Sequence, residues 1–77
     1  MYKEVFHCRI KQIREEIGLT QAQVAAETEI SRSSISKYES GELEPNFEQL
    51  GKLASYYNIS LDWLLGSTPT KIKEWRF

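Results

Sequence analysis

One stretch in the middle of the chain separates its side chains by chemistry. If residues 32–39 form a helix that ends at Ser40, a step of about 100° per residue sets one face opposite the apolar Ile35. That opposite face, with its flank and first turn, holds basic and hydroxyl side chains: Ser33, Lys37 and Ser40, then Ser36 and Arg32. Glu39 falls on the inward face instead. The outward face is therefore small, polar and cationic. It is either a binding surface rich in hydrogen-bond donors or an ordinary solvated helix face.

Residues suited to catalysis or metal binding are scarce. The chain has one histidine, His7, and one cysteine, Cys8, so neither an internal disulfide nor a His/Cys zinc cluster can form. The two neighbours point in different directions on a helix, which favours a partly buried thiol and a surface imidazole. The carboxylates show no paired general acid/base arrangement. We expect no enzyme activity, no cofactor and no metal.

Five short helices are predicted to position these residues. The first ends before Gly18, the second covers 21–29 after the N-cap Thr20, and the third covers 32–39 after the N-cap Ser31. A fourth follows the N-cap Asn46, and a fifth covers 61–65 between Ser60 and Gly66. The apolar stripes that should form the core are Phe6, Ile10, Ile13 and Ile17, then Val24, Ala25, Thr28 and Ile30, then Ile35 and Tyr38, then Leu50, Leu53, Ala54 and Tyr57. Because no strand-length window alternates in polarity, the predicted fold class is all-α.

The second and third helices, with the short turn between them, have the form of a helix-turn-helix. In this unit the second helix enters the major groove of DNA, which is just wide enough for a helix. The first crosses the phosphate backbone. Double-stranded DNA is therefore the predicted partner, and residues 32–40 face it.

The net charge alone argues weakly against this partner. The chain has 10 Lys and Arg against 11 Asp and Glu, whereas domains that bind nucleic acid are often basic. The placement of charge matters more than its sum. Arg32 and Lys37 lie inside the central unit, and four acidic residues follow it: Glu42, Glu44, Glu48 and Asp62.

The 77 residues predict one domain over 1–67 and a tail over 68–77, in which Ile72, Trp75 and Phe77 alternate with basic residues. No apolar run approaches the ~18 residues that a membrane span needs. The first residues are charged and lack the apolar segment of a signal peptide. A cytoplasmic location is expected.

Many positions over roughly residues 6 to 66 match one family pattern in order. They are Leu19-Thr20-Gln21, Val24-Ala25, residues 30–41 (ISRSSISKYESG), Pro45, Leu50, Leu53-Ala54 and residues 60–66 (SLDWLLG). With these residues the chain resembles the phage repressor/Cro-type (XRE) helix-turn-helix family. It departs from the pattern at Glu29, where the family usually has glycine. Because a left-handed glutamate costs about 1 kcal/mol, either the turn geometry differs or the second helix extends.

The resemblance implies a five-helix domain that regulates transcription, as a repressor, by binding a palindromic operator as a homodimer. It implies base-edge contacts from Arg32, Ser33, Ser36 and Lys37. It implies phosphate contacts from Gln21, Ser31 and Ser40. It also implies a buried ion pair that links the first and third helices, Arg14 with Glu39. No small-molecule effector is evident.

The expected dimer contact is the fifth helix with the tail, through Leu61, Trp63, Leu64 and Trp75, and the alternative for the tail is that it packs on its own domain. A helix of about five residues that carries Trp63 between two leucines would leave apolar surface exposed, and such surface usually binds a partner. A core position for Trp63 is the equal alternative. The alternative function is an antitoxin-like module that binds a protein partner and autoregulates its operon.

Overall fold

Five α-helices follow one another in the computed structural model, which describes residues 2–66, with side chains from residue 5 onward. They are α1 (Tyr2–Ile17), α2 (Gln21–Thr28), α3 (Arg32–Ser40), α4 (Phe47–Tyr57) and α5 (Leu61–Leu64). Helix α1 packs against α3 and α5, α2 packs against α3 and α4, and α4 packs against α5. The predicted five-helix all-α architecture is confirmed.

One apolar core joins all five helices. Phe6, Val24, Leu53 and Leu64 are its most completely buried large side chains. Ile17, which the first stripe predicted as a core residue, is 52% exposed, so that prediction is wrong. It is the last residue of α1, beyond the part of the helix that the other helices cover. The periodicity identified which face of α1 is apolar, but not the residue beyond which the other helices no longer cover that face.

Local side-chain chemistry starts the helices where the sequence predicts. The hydroxyl of Thr20 accepts a hydrogen bond from the Gln23 amide at 3.1 Å, and the Gln23 side chain accepts one from the Thr20 amide at 2.7 Å. Ser31, Asn46 and Ser60 cap α3, α4 and α5 in the same way. These bonds satisfy amides that have no partner within the helix, so each cap fixes a helix start.

The turn between α2 and α3 contains a glutamate in a conformation that glycine usually adopts. Glu29 has φ 61° and ψ 25°, and α2 ends just before it, at Thr28. Both expectations for this turn, a different geometry or a longer α2, are therefore wrong. The left-handed turn is kept, at a cost of about 1 kcal/mol. Ile30, which the sequence predicts as a core residue, follows and is only 3% exposed.

Candidate nucleic-acid interface

Helix α3 turns one face to the core and the other to solvent. Ile35, Tyr38 and Glu39 are buried. All four residues expected at base edges are exposed, namely Arg32, Ser33, Ser36 and Lys37. The separation of charge expected from the 100° step is thus present in the fold. The outward face of this nine-residue helix carries two cations and no carboxylate.

The two cations of this face are not neutralised by the protein. Among the residues that the structure describes, neither Arg32 nor Lys37 has a carboxylate within ion-pair distance. A solvated helix face often pairs its charges at i and i+4, but this face has no acid to pair with. Its guanidinium and ammonium donors therefore remain available to an external acceptor.

The serines at the two ends of α3 already have partners. The hydroxyl of Ser31 accepts from the Ser34 amide and donates to the Ser34 hydroxyl at 2.9 Å. The hydroxyl of Ser40 lies 3.1 Å from the Lys37 carbonyl oxygen and 3.0 Å from the Glu42 carboxylate. A phosphate at Ser40 would have to displace Glu42, which would itself repel the phosphate. Ser40 is therefore the weakest of the three expected phosphate contacts.

A buried hydrogen-bonded network holds α3 against α1 and the start of α2. The Arg14 guanidinium donates to both Glu39 carboxylate oxygens, with Nε–Oε2 at 2.7 Å and Nη2–Oε1 at 2.9 Å. It also donates to the Leu19 carbonyl oxygen at 2.7 Å. The side chains of Arg14 and Glu39 are only 12% and 4% exposed. A bidentate pair of this kind restrains both distance and orientation, so it sets the angle of α3 on the domain.

Gln21 completes this network. Gln21 is the first residue of α2, and its side-chain nitrogen Nε2 donates to Oε1 of Glu39 at 3.1 Å. The side chain expected to contact phosphate is therefore anchored through one hydrogen, while its second hydrogen remains available. The hydrogen bonds from Arg14 to Glu39 raise the pKa of Arg14 above its usual value, although burial acts in the opposite direction. No local pattern predicts the Gln21–Glu39 contact, because it joins residues 18 positions apart.

His7 and Cys8 have exchanged their expected environments. The His7 imidazole is half-buried, with Nδ1 3.2 Å from the Glu39 carbonyl oxygen, and it lies over Gly41 at the end of α3. The Cys8 thiol is exposed. The direction of α1 toward α3 decides this, because adjacent residues of a helix point about 100° apart. His7 thus supports the C-terminal end of α3.

Helix α5 does not offer the apolar surface expected of it. Trp63 is 7% exposed and Leu64 is fully buried, so both belong to the core of their own domain. Arg9 from α1 covers the Trp63 ring, with its guanidinium carbon 4.7 Å from the ring centroid, and donates to the Trp63 carbonyl oxygen. Of the expected dimer residues, Leu61 is half-buried. Trp75 lies outside the described residues.

Neither a metal cluster nor a membrane-spanning helix is formed by the part of the chain that the structure describes. Residues 5–66, whose side chains it describes, contain no group of three or more His, Cys, Asp or Glu side chains placed to hold a metal ion. No helix in the same range is long and apolar enough to cross a membrane.

Comparison with known proteins gives a match to one family model, described as helix-turn-helix, over residues 10–64. This range includes α2, α3 and the two buried partners Arg14 and Glu39. The matched range also agrees with the resemblance found in the sequence, which is thereby confirmed.

Three similar proteins are described as transcriptional regulators. The phage CTXphi transcriptional repressor RstR of Vibrio cholerae serotype O1 is 47% identical over 62 residues, which are 80% of this chain and 55% of that protein. The transcriptional regulator ImmR of Bacillus subtilis is 38% identical over 58 residues, 75% of this chain and 46% of that protein. The transcriptional activator BcrR of Enterococcus faecalis is 38% identical over 60 residues, which are 78% of this chain and 29% of that protein. The chain thus spans about half, or less, of these relatives.

Proposed function

Because this chain belongs to the XRE-type helix-turn-helix family, we propose that it is a sequence-specific DNA-binding transcription regulator. In the finer proposal it is a repressor that acts as a homodimer on a palindromic operator. It works in the cytoplasm, beside the DNA, and performs no catalysis. The description of RstR as a repressor supports this direction of control, whereas that of BcrR as an activator names the competing one.

The exposed cationic face of α3 is the observation that carries the proposal. A helix that enters the major groove needs small side chains where it approaches the bases and donors for their acceptor atoms. Ser33 and Ser36 supply the first property, and Arg32 and Lys37 supply the second. We assign base-edge contacts to these four residues, with Arg32 and Lys37 contributing most of the discrimination, since each good contact is worth about 1–3 kcal/mol.

Phosphate contacts are assigned to the edges of the helix-turn-helix unit. Gln21 stands at the start of α2, where helix amides and the helix dipole also favour an anion. Its side chain is held by Glu39, so little conformational freedom is lost on binding. Ser31 lies at the start of α3, and Ser40 contributes only if it exchanges Glu42 for the phosphate. These contacts fix the register of the domain on DNA without reading sequence.

The dimer follows from the length of the recognition surface. One helix covers only a few base pairs, and two copies related by a two-fold axis double the sequence that is read. Their α3 helices would lie one DNA turn apart, about 34 Å. Since Trp63 and Leu64 are buried within one domain, the α5 contribution to such an interface reduces to Leu61 and its surroundings.

Selection of bound sequences from random duplexes tests the whole proposal. The expected result is one enriched motif made of two inverted half-sites, because a symmetric dimer requires a symmetric site. Affinity for the selected duplex should fall with salt, with a slope in log K against log salt of about −0.9 for each phosphate contact. An unenriched pool and a salt-independent affinity would together remove DNA binding from the account.

Sedimentation with the selected duplex tests the dimer separately. Two chains should bind each duplex, and a duplex reduced to one half-site should bind one chain more weakly. A single chain on the full duplex would contradict the homodimer and leave DNA reading intact. When binding of the duplex is compared between the wild type and a variant that lacks Arg32 or Lys37, Lys11→Ala is the control. It also removes one exposed cation, but from α1 rather than from α3.

A further inference from the structure

An exposed apolar surface with acidic surroundings follows α3 directly. Leu43 is 42% exposed in the connection after α3, and Phe47, the first residue of α4, is 80% exposed. Three exposed carboxylates lie among them in the sequence. We define the acidic–apolar patch as Glu42, Leu43, Glu44, Phe47 and Glu48. None of these residues belongs to the proposed base contacts, and their charge is unfavourable beside phosphate.

The patch is held in place by its backbone. The amides of Glu42 and Leu43 donate to the Lys37 carbonyl oxygen at 3.0 and 3.3 Å, which folds the connection back onto the end of α3. The Asn46 side chain then accepts from the Gln49 amide at 2.8 Å and starts α4. The exposed ring of Phe47 therefore offers apolar area that a partner could bury.

We propose that the patch is the docking site for the chain's own C-terminal segment, residues 67–77. This segment has the complementary composition: apolar Ile72, Trp75 and Phe77 alternate with basic residues, and Glu74 is its one acid. Its basic residues are Lys71, Lys73 and Arg76. Apolar side chains would cover Leu43 and Phe47, while the cations would neutralise the surrounding carboxylates. This inference does not depend on DNA binding.

The geometry of α1 brings the origin of the segment close to the patch. A methyl group placed on Gly66 would lie 3.1 Å from Cγ1 of Val5, and one placed on Gly41 would lie 3.2 Å from Cδ2 of His7. Since Val5 and His7 are two residues apart on one helix, bond lengths place Gly41 and Gly66 within about 20 Å of each other.

The length of the segment is sufficient for this contact. Eleven residues can extend over about 36 Å, which exceeds the bound of about 20 Å from Gly66 to Gly41, the residue directly before the patch. A short tether also gives an effective concentration in the millimolar range, which favours the chain's own segment over that of a second copy.

Disulfide trapping in the full chain tests the contact. In a Cys8→Ser background, Glu44→Cys is combined with Glu74→Cys, which keeps every apolar side chain of both partners. The matched control combines Glu15→Cys with Glu74→Cys, because Glu15 is also an exposed carboxylate, near the exposed Ile17. Circular dichroism of each variant establishes that the helices are retained.

The patch pair should form an intramolecular disulfide about tenfold faster than the control pair, because docking raises the local concentration of the two thiols. Phe47→Ala within the patch pair should slow the reaction at least about threefold, and added salt should slow it further. Equal rates for the two pairs would overturn the proposal. So would a disulfide found only between two chains, which would assign the patch to a second copy.

The same reaction is repeated with a duplex of unrelated sequence. If the segment binds DNA instead, the patch pair and the control pair should form their disulfides at equal rates in the free protein. Removal of residues 68–77 should then also weaken binding to that duplex. This combination would overturn the docking proposal. Selective trapping in the free protein supports it, whatever the affinity for DNA.

Discussion

The two faces of α3 differ in what holds their side chains. The inward face is fixed from several directions, since Glu39 alone receives hydrogen bonds from Arg14 on α1 and Gln21 on α2. The outward cations, Arg32 and Lys37, have no carboxylate partner among the described residues. The difference indicates a division of labour within nine residues. Inward substitutions should change stability, and outward substitutions should change binding.

The largest effect is expected from breaking the inward network. Arg14→Ala would leave the Glu39 carboxylate buried without its bidentate partner, which should lower the free energy of unfolding by about 3–5 kcal/mol. A domain of this size can have only about 5 kcal/mol in total, so the variant should be largely unfolded near 37 °C. Thermal denaturation followed by circular dichroism measures this.

Lys11→Ala is the matched control for Arg14→Ala. It removes an exposed cation from the same helix and should change stability by less than about 0.5 kcal/mol. If the two variants melted together near the wild-type temperature, the buried network would not be what positions α3.

The next effect is expected on the outward face. Lys37→Ala should weaken binding to the selected duplex by about 1–3 kcal/mol, because one donor to a base acceptor is lost. Its melting temperature should stay close to that of the wild type, since the side chain is exposed and unpaired within the described part of the chain. Titration and melting of the same sample give both values. A large loss of stability without a loss of affinity would reverse the roles of the two faces.

Gln21→Ala should show a mixed result, because this residue belongs to both the network and the proposed phosphate contacts. Loss of its hydrogen bond to Glu39 should cost about 1 kcal/mol of stability. Affinity should fall by a similar factor for selected and unrelated duplexes, since a phosphate contact carries no sequence information. A change in specificity with unchanged non-specific affinity would contradict this assignment.

The smallest effect concerns the turn that joins α2 to α3. Glu29→Gly should stabilise the domain by up to about 1 kcal/mol, because relief of the left-handed strain exceeds the extra freedom of glycine in the unfolded chain. Asn58→Gly is the control at the other left-handed non-glycine position, where the gain should be smaller because asparagine tolerates this conformation. Destabilisation by Glu29→Gly would show that the side chain makes a contact that outweighs its strain.

The sequence was most informative where one helical turn decides the structure. The caps at Thr20, Ser31, Asn46 and Ser60 and the inward position of Glu39 all follow from neighbours within four residues. The errors are long-range. Whether Ile17 is covered depends on where α1 ends. The choice left open for Trp63, core or interface, depends on Arg9 of α1, which lies over the Trp63 ring and donates to the Trp63 carbonyl oxygen.

The candidate site divides in the same way. The exposed cations of α3 could be predicted from periodicity alone, because the residues share one helix. The partners of Gln21 and His7 could not, because both reach Glu39 from other helices. The apolar side chains of Trp63 and Leu64 are not exposed as a dimer contact requires, since a short helix with three apolar residues can still be covered by α1 and α4; the dimer itself stays a prediction.

Arg32→Ala tests whether the outward face of α3 reads base sequence. The measurement is a position-resolved comparison of duplexes selected by the wild type, by Arg32→Ala and by Gln21→Ala. We expect Arg32→Ala to lose preference at particular base positions, the same in both half-sites, and Gln21→Ala to keep the wild-type motif at lower affinity. An unchanged motif for Arg32→Ala, or an identical loss of specificity in both variants, would contradict the claim.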